Sequence, residues 1–93
     1  MKNKKILIIR KKLDSLDNKF LLLIKKRSTL VSKILKEKKF KSEIIDRKRI
    51  KLILKKIKTK SIDKKIDPKI TKKIWTAMIS AYISYEFRNF KKK

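Results

Sequence analysis

The fold of this chain is decided by residues 3–39, which read NKKILIIRKKLDSLDNKFLLLIKKRSTLVSKILKEKK. Apolar residues recur here at steps of three and four, and neither glycine nor proline interrupts them. That spacing is typical of a long amphipathic helix. A helix of ~36 residues is ~54 Å long, about twice the diameter of a compact globule of this size. We therefore expect it to bury its apolar stripe against a second copy of the chain, in a homodimer.

A second helix is predicted over about 46–58. Asp46 is a suitable N-cap for it, because an aspartate side chain accepts hydrogen bonds from the free N–H groups of a first helical turn. Its apolar stripe fades near residue 58 into a polar connection over 59–66. Residues 40–45, between the first two helices, are expected to form a loop.

A third helix is predicted over about 68–90. Asp67-Pro68 marks its start, since aspartate caps a helix and proline fits the first helical position. With 93 residues, the chain is long enough for one domain but not for two. The sequence thus predicts an all-α fold, with one domain over 1–93 made of three helices.

The residue types exclude several kinds of chemistry. The chain contains neither cysteine nor histidine, so it lacks disulfides, thiolate metal ligands and the commonest general base. We expect neither metal nor cofactor. The apolar runs are too short for a signal peptide or a membrane span, so the expected location is the cytoplasm. A chain of this length has no room for a regulatory domain, which predicts a monofunctional protein.

The formal net charge of +24 has two interpretations. Either the chain binds an anionic partner, or lysine is simply the common residue of its solvated helix faces. The lysines are spread along the whole chain, which weakens the case for nucleic acid. Arginine is more informative, because it is scarce here and binds carboxylates bidentately. It occurs only at Arg10, Arg27, Arg47, Arg49 and Arg88.

Some charged residues stand where the helical pattern favours apolar ones. Arg27 and Lys38 continue the apolar stripe of the first helix, Arg10 lies beside it, and Glu86 continues a stripe of the third helix. We expect Arg27 to be buried or to line a cavity, and each charged group to have a partner. Internal pairing and snorkelling of the lysine are one explanation. Because acidic residues are few, an anionic ligand is the other.

These residues also match a family pattern. The first helix, with Ile9-Arg10, Leu13-Asp14-Ser15-Leu16-Asp17, Lys26-Arg27, Leu30-Val31 and Lys36-Glu37-Lys38, resembles the first helix of the all-α (type II) chorismate mutases. Asp46 to Arg49 is similar to the D-x-x-R motif that opens the family's second helix. Ile74-Trp75 through Glu86 resembles its last helix, which ends in a catalytic glutamine or glutamate.

The resemblance implies an intertwined homodimer of three-helix chains, with active sites that draw on both chains. It implies that Arg27, Lys38 and Arg49 serve the site of their own chain, while Arg10 reaches into the partner's site. Lys38 would donate to the ether oxygen, and Glu86 would lie by the same atom. Asp46 would lie by the substrate hydroxyl and Tyr82 in the substrate pocket. The substrate would be chorismate, which rearranges to prephenate without metal or cofactor, with Arg27, Lys38 and Glu86 as the catalytic residues.

Two positions depart from the family pattern. The glutamate that follows the family's second-helix arginine is Ile50 here, and an alternative register puts Arg47 in place of Arg49. A serine often found four residues before the final glutamine or glutamate is Tyr82 here. Glu86 must hold a proton if it is to donate to the ether oxygen.

Other functions stay open at this point. An isochorismate pyruvate-lyase, or another chorismate-handling enzyme, would use the same scaffold. A basic helical nucleic-acid-binding protein and a cationic membrane-surface protein would also suit the charge. A nucleic-acid-binding function does not explain an arginine at residue 27 on an apolar seam. The Asp67-Pro68 helix start and the three-helix layout argue against a membrane-surface protein.

Overall fold

A computed structural model describes residues 3–91 and contains three α-helices and no strand in that range. The all-α class and the long N-terminal helix are therefore confirmed. The helices are α1 (Lys4–Glu37), α2 (Arg47–Asp63) and α3 (Pro68–Asn89), with a short 3-10 turn at Lys41–Glu43 between α1 and α2. None of the helices in the described range is long and apolar enough to cross a lipid bilayer.

Helix α1 begins with a side-chain cap and ends on a tightened turn. The Asn3 side-chain oxygen accepts hydrogen bonds from the backbone N–H groups of Lys5 (2.9 Å) and Ile6 (3.3 Å). At the other end, the N–H of Lys38 donates to the carbonyl of Leu35 at 3.1 Å. This bond spans three residues instead of four, and it closes the helix just before Lys38.

The predicted loop over 40–45 is organised by one carboxylate. Glu43 accepts hydrogen bonds from the backbone N–H of Lys39 at 2.6 Å and of Phe40 at 3.0 Å. The bond from Phe40, followed by the one from Lys39, lowers the pKa of the Glu43 carboxyl below its ordinary value. Glu43 thus satisfies the N–H groups that open the 3-10 turn, and it sets the path of the chain from α1 to α2.

Helix α2 starts as predicted but ends later. The Asp46 carboxylate accepts from the backbone N–H of Arg49 at 3.0 Å, which confirms Asp46 as the N-cap. The prediction of an end near residue 58 was wrong, because α2 continues to Asp63. The hydroxyls of Thr59 and Ser61 donate to backbone carbonyls four residues earlier, at 3.2 and 2.6 Å. Polar side chains that bond within the helix do not end it.

The end of α2 uses a left-handed residue that is not glycine. Lys65 has a φ of 60°, and its N–H donates to the carbonyl of Ile62 at 3.1 Å. The next N–H, of Ile66, reaches back to the carbonyl of Ser61 at 2.8 Å. This pair of bonds is the Schellman arrangement, whose left-handed position is usually occupied by glycine. The chain has no glycine, so a lysine takes the strained conformation.

Helices α2 and α3 pack against each other across this short connection. The hydroxyls of Ser61 and Thr71, both buried, lie 2.7 Å apart and join the end of α2 to the start of α3. Asp67 caps α3 by accepting from the N–H of Lys69 at 2.9 Å, and Pro68 is the first helical residue, as predicted. The buried pair satisfies both hydroxyls, so this contact carries no unpaired polar group.

Contacts divide the chain into two units, with the boundary between Val31 and Ser32. In the first unit, the apolar stripe of α1 is exposed; Leu13 and Phe20, for example, are 53% and 46% exposed. Arg10 and Arg27 are exposed as well. The expectation that Arg27 is buried or lines a cavity depended on a second copy of the chain covering this stripe, so it stays a prediction.

The second unit contains the buried residues. Leu35 and Ile44 are its buried apolar side chains in the described range, and Ser61, Thr71 and Glu86 are buried polar ones. A buried carboxylate is unusual in so small a unit, since its desolvation is unfavourable without a partner. The surroundings of Glu86 therefore identify the candidate site.

Candidate active site

Lys38 and Glu86 form an ion pair. The Lys38 Nζ donates to the Glu86 Oε1 at 2.8 Å, although the two residues are 48 positions apart in the chain. Lys38 is the first residue after α1, and Glu86 lies in the last turn of α3. The two residues predicted to lie at the substrate ether oxygen are therefore brought together.

Burial makes this pair stronger than an ordinary surface ion pair. Only 18% of the Lys38 side chain and 10% of the Glu86 side chain remain exposed. A short charge-assisted hydrogen bond in such surroundings is screened little by solvent. The ammonium is the donor and the carboxylate oxygen the acceptor, so this contact requires no proton on Glu86.

This pair also resolves two alternatives for Lys38. Its charge is neither carried into solvent by snorkelling nor left for a ligand to balance, because Glu86 already balances it. The scarcity of acidic residues therefore gives no argument for an anionic ligand at Lys38.

A second polar link lies beside the ion pair. The hydroxyls of Ser32 and Tyr85 are 2.8 Å apart, and Tyr85 immediately precedes Glu86 in α3. Both residues are half-buried. Sequence reasoning did not identify this pairing. The available signal was that a buried tyrosine hydroxyl usually finds a partner.

A cavity of about 600 Å³ opens on one side of Lys38. Its wall includes Asp46 and Arg47 as well as Lys38, together with Ser42, Glu43, Ile45 and Lys48. The cavity is wide open to solvent, so it would contact a ligand from one side only. Two residues of the predicted site, Lys38 and Asp46, thus share one cavity wall.

The same cavity bears on the choice between Arg47 and Arg49. Arg47 lies in its wall, whereas Arg49 is exposed and is not among the residues of that wall. The backbone N–H of Arg49 is bound by Asp46. The assignment of Arg49 as the substrate arginine stays a prediction, with Arg47 as its competitor.

A smaller cavity of about 320 Å³ also has Lys38 in its wall. The linked hydroxyls of Ser32 and Tyr85 contribute to it, together with Asn89 near the end of α3. Lys38 therefore lies in the wall of both hollows, whereas its partner Glu86 lines neither of them.

The remaining predicted site residues lie in both units of the chain. Arg10 and Arg27 belong to the first unit, where both are exposed. In the second unit, Tyr82 lies one helical turn before Glu86 and is half-buried. Ile50, where the family pattern has a glutamate, is half-buried too. Residues 3–91 hold no cluster of three or more side chains from histidine, cysteine, aspartate and glutamate that could bind a metal.

Comparison with known proteins gives one match. The family model for chorismate mutase type II matches residues 9–87, a range that includes every predicted site residue. Searches among curated proteins and among solved structures returned no match. The matched range covers most of the chain, and the three helices suit a short form of the family. This chain belongs to the chorismate mutase type II family.

Proposed function

We propose that this protein is a chorismate mutase that rearranges chorismate to prephenate as a homodimer. The observation that carries the proposal is the ion pair of Lys38 with Glu86, in a chain of this family whose Lys38 also lines a cavity. The two residues are far apart in sequence, and the family pattern assigns both of them to the reacting ether oxygen.

The reaction suits the residue types that are present. It is an intramolecular pericyclic rearrangement, so it needs no nucleophile, metal or redox group. The protein must hold a dianion in its compact reactive conformer, which is catalysis by positioning. It must also stabilise the negative charge that grows on the ether oxygen as the bond breaks. Lysine and arginine perform both tasks.

Arginine residues are proposed to hold the two carboxylates. Arg27 would act in the site of its own chain, and Arg10 in the site of the partner. Arg49 would support the same dianion, and Asp46 would accept from the substrate hydroxyl while also capping α2. Tyr82 would contribute to the pocket wall.

Lys38 is proposed to donate to the ether oxygen in the transition state. In the free chain, Glu86 already accepts from Lys38, which holds the ammonium in position before substrate arrives. For Glu86 to donate to the ether oxygen as well, it must take up a proton when substrate binds. A charged Glu86 would oppose the developing negative charge, so we expect activity to fall as the pH rises.

The exposed stripe of α1 supports the dimer. Large apolar side chains are exposed along the first unit, including Ile9, Leu16 and Leu23. A contiguous apolar face of this extent in a water-soluble chain marks an interaction surface. A second copy of α1 would cover it with the same residues. We propose that the whole chain is one cytoplasmic domain and that each active site is completed by the partner's Arg10.

One assay tests the function directly. Purified protein is mixed with chorismate, and the loss of chorismate absorbance is followed. We expect turnover by the parent protein and a rate lower by about 100-fold or more for Arg27→Ala, because a charged group that positions the dianion is lost. Arg88→Ala, the same substitution at an exposed residue in the last turn of α3, serves as the control and should stay active. A parent protein that leaves chorismate unchanged would overturn the proposal.

A second function is favoured by one observation. Ile50 puts an apolar side chain at the family's glutamate position, which alters how a hydroxyl on the substrate ring is recognised. An isochorismate pyruvate-lyase would use the same arginines and Lys38. Isochorismate is therefore tested in parallel, with released pyruvate as the readout. Faster turnover of isochorismate than of chorismate would replace the mutase by the lyase.

A further inference from the structure

A groove of about 550 Å³ lies between α2 and the first turn of α3. Its floor is built from Leu54 and Ile57 of α2 and from Pro68 and Thr71 of α3. The Thr71 hydroxyl is already paired with Ser61, and Ser61 is also bonded to the carbonyl of Ile57. The floor therefore offers an aliphatic surface whose hydroxyls are satisfied within the protein.

The rim of the groove is uniformly basic. Five lysines line it, at positions 51, 55, 58, 69 and 72, and no acidic residue does. Among residues 3–91, none of these lysines forms an ion pair with a carboxylate. An aliphatic floor beneath unpaired ammonium groups complements a molecule with an aliphatic body and an anionic head.

The groove is separate from the proposed chorismate site. In an α-helix successive residues are turned by ~100°, so Lys51, Lys55 and Lys58 fall within ~60° of one another around α2. Arg49 lies ~150° from the middle of that group. Arg47, the competitor of Arg49, lies nearer to the groove face of α2. The groove and the cavity beside Lys38 nevertheless share no lining residue.

We propose that this groove binds a carboxylate with an extended aliphatic chain, the chain lying on Leu54 and Ile57 and the head group among the rim lysines. The lining contains no aromatic ring, which favours an acyl chain over a flat aromatic body. The volume lies within the range of small-molecule sites. The proposal is independent of the mutase activity, because it uses none of the residues assigned to chorismate.

The test uses decanoate and hexanoate as probes, with binding to the full chain measured by titration calorimetry. Both carry one charge, so attraction by the net charge alone would bind them equally. The four additional methylenes of decanoate contribute affinity only if they lie on an apolar surface, up to ~0.8 kcal/mol each. We expect saturable binding of one decanoate per chain, at least ~10-fold tighter than hexanoate. Equal affinity of the two, or no binding of decanoate, would overturn the proposal.

Two matched double variants locate the site. Lys55→Glu with Lys58→Glu reverses two rim charges, whereas Lys56→Glu with Lys60→Glu makes the same change on α2 outside the groove. Circular dichroism checks that both variants remain helical. We expect the rim variant to bind decanoate about 10-fold more weakly and the control to bind within about twofold of the parent. Equal weakening in both would show diffuse attraction and contradict the groove.

A second copy of the chain is the competing occupant. Sedimentation of the rim variant distinguishes it, because reversing two charges at a chain interface would change the oligomeric state. We expect the rim variant to keep the parent's sedimentation coefficient. Dissociation of that variant, with the Lys56 and Lys60 control unaffected, would assign the groove to the interface and overturn the proposal.

Discussion

The two units of the chain differ in which side chains they expose and which they bury. In the first unit, up to Val31, the apolar stripe of α1 is exposed, and so are Arg10 and Arg27. In the second unit, from Ser32 onward, polar groups such as Glu86 and Ser61 are buried and have hydrogen-bond partners. The second unit satisfies its own groups. The first exposes its apolar side chains, which is the surface that the proposed dimer would cover.

The sharpest test of this comparison uses the two exposed arginines of the first unit, Arg10 and Arg27. Arg10→Ala and Arg27→Ala are each expected to lower activity by about 100-fold or more. If Arg10 serves the partner's site, a heterodimer of one Arg10→Ala chain and one Arg27→Ala chain contains one intact site. In the heterodimer, one site has the normal Arg27 of its own chain and the normal Arg10 of its partner. We expect co-refolded variants to recover about a quarter of the parent activity in the chorismate assay.

The control for this mixing is each variant refolded alone, which should stay inactive. A mixture no more active than the separate variants would contradict the shared site. Sedimentation of the parent chain gives a separate check, since the proposal requires a dimer. A parent chain that sediments as a monomer yet turns over chorismate would remove the dimer and keep the mutase.

The ion pair of the second unit gives the next largest effect. Lys38→Met removes the partner of a buried carboxylate, so we expect a loss of about 2 kcal/mol in the free energy of unfolding by urea. Lys36→Met, an exposed lysine near the end of α1, is the control and should stay within about 0.5 kcal/mol. Equal stability of Lys38→Met and the parent would mean that Glu86 does not depend on Lys38.

The pH profile tests the role of Glu86 in the reaction. A protonated Glu86 can donate to the ether oxygen and a carboxylate cannot, so parent activity should fall as the pH rises. A glutamine donates at every pH, and Glu86→Gln should therefore flatten the profile of kcat/KM. If the variant keeps the parent's profile, another group causes the pH dependence and Glu86 has no such role.

A smaller effect is expected at the end of α2. Lys65 holds a left-handed conformation that a glycine adopts without strain, so Lys65→Gly should stabilise the chain by about 1 kcal/mol in thermal or urea unfolding. Lys64→Gly is the control, since Lys64 has a φ of −90° and a glycine there adds only flexibility. Destabilisation by Lys65→Gly would contradict the Schellman geometry.

The smallest effect concerns Glu43. Its pKa is lowered from about 4.5 by the hydrogen bonds from Phe40 and Lys39. The carboxylate therefore stabilises the fold above pH 4.5, and this contribution is lost as the pH falls through the lower folded value. Glu43→Gln should have a lower urea midpoint than the parent at pH 7, with the gap closing toward pH 3. A gap independent of pH would mean that the charge of Glu43 is not involved.

Much of the local structure could be predicted from the chain alone. Asp46 and Asp67-Pro68 start helices because capping depends on neighbouring residues only. The end of α2 could not be predicted from the pattern of polar and apolar residues. That pattern does not show that the Thr59 hydroxyl bonds within the helix, nor that Lys65 adopts a left-handed conformation. The family pattern assigned Lys38 and Glu86 to the candidate active site. It did not predict that they pair directly.

The sequence by itself determined the all-α class, the start of each predicted helix and the amphipathic stripe of α1, since these depend on residue type and spacing within a few turns. Only the tertiary structure decided that Lys38 meets Glu86, that Ser32 meets Tyr85, and that Arg47 lines the cavity while Arg49 does not. These contacts join residues from separate elements. Their geometry depends on where the helices end and how they pack, and a local sequence pattern does not predict either.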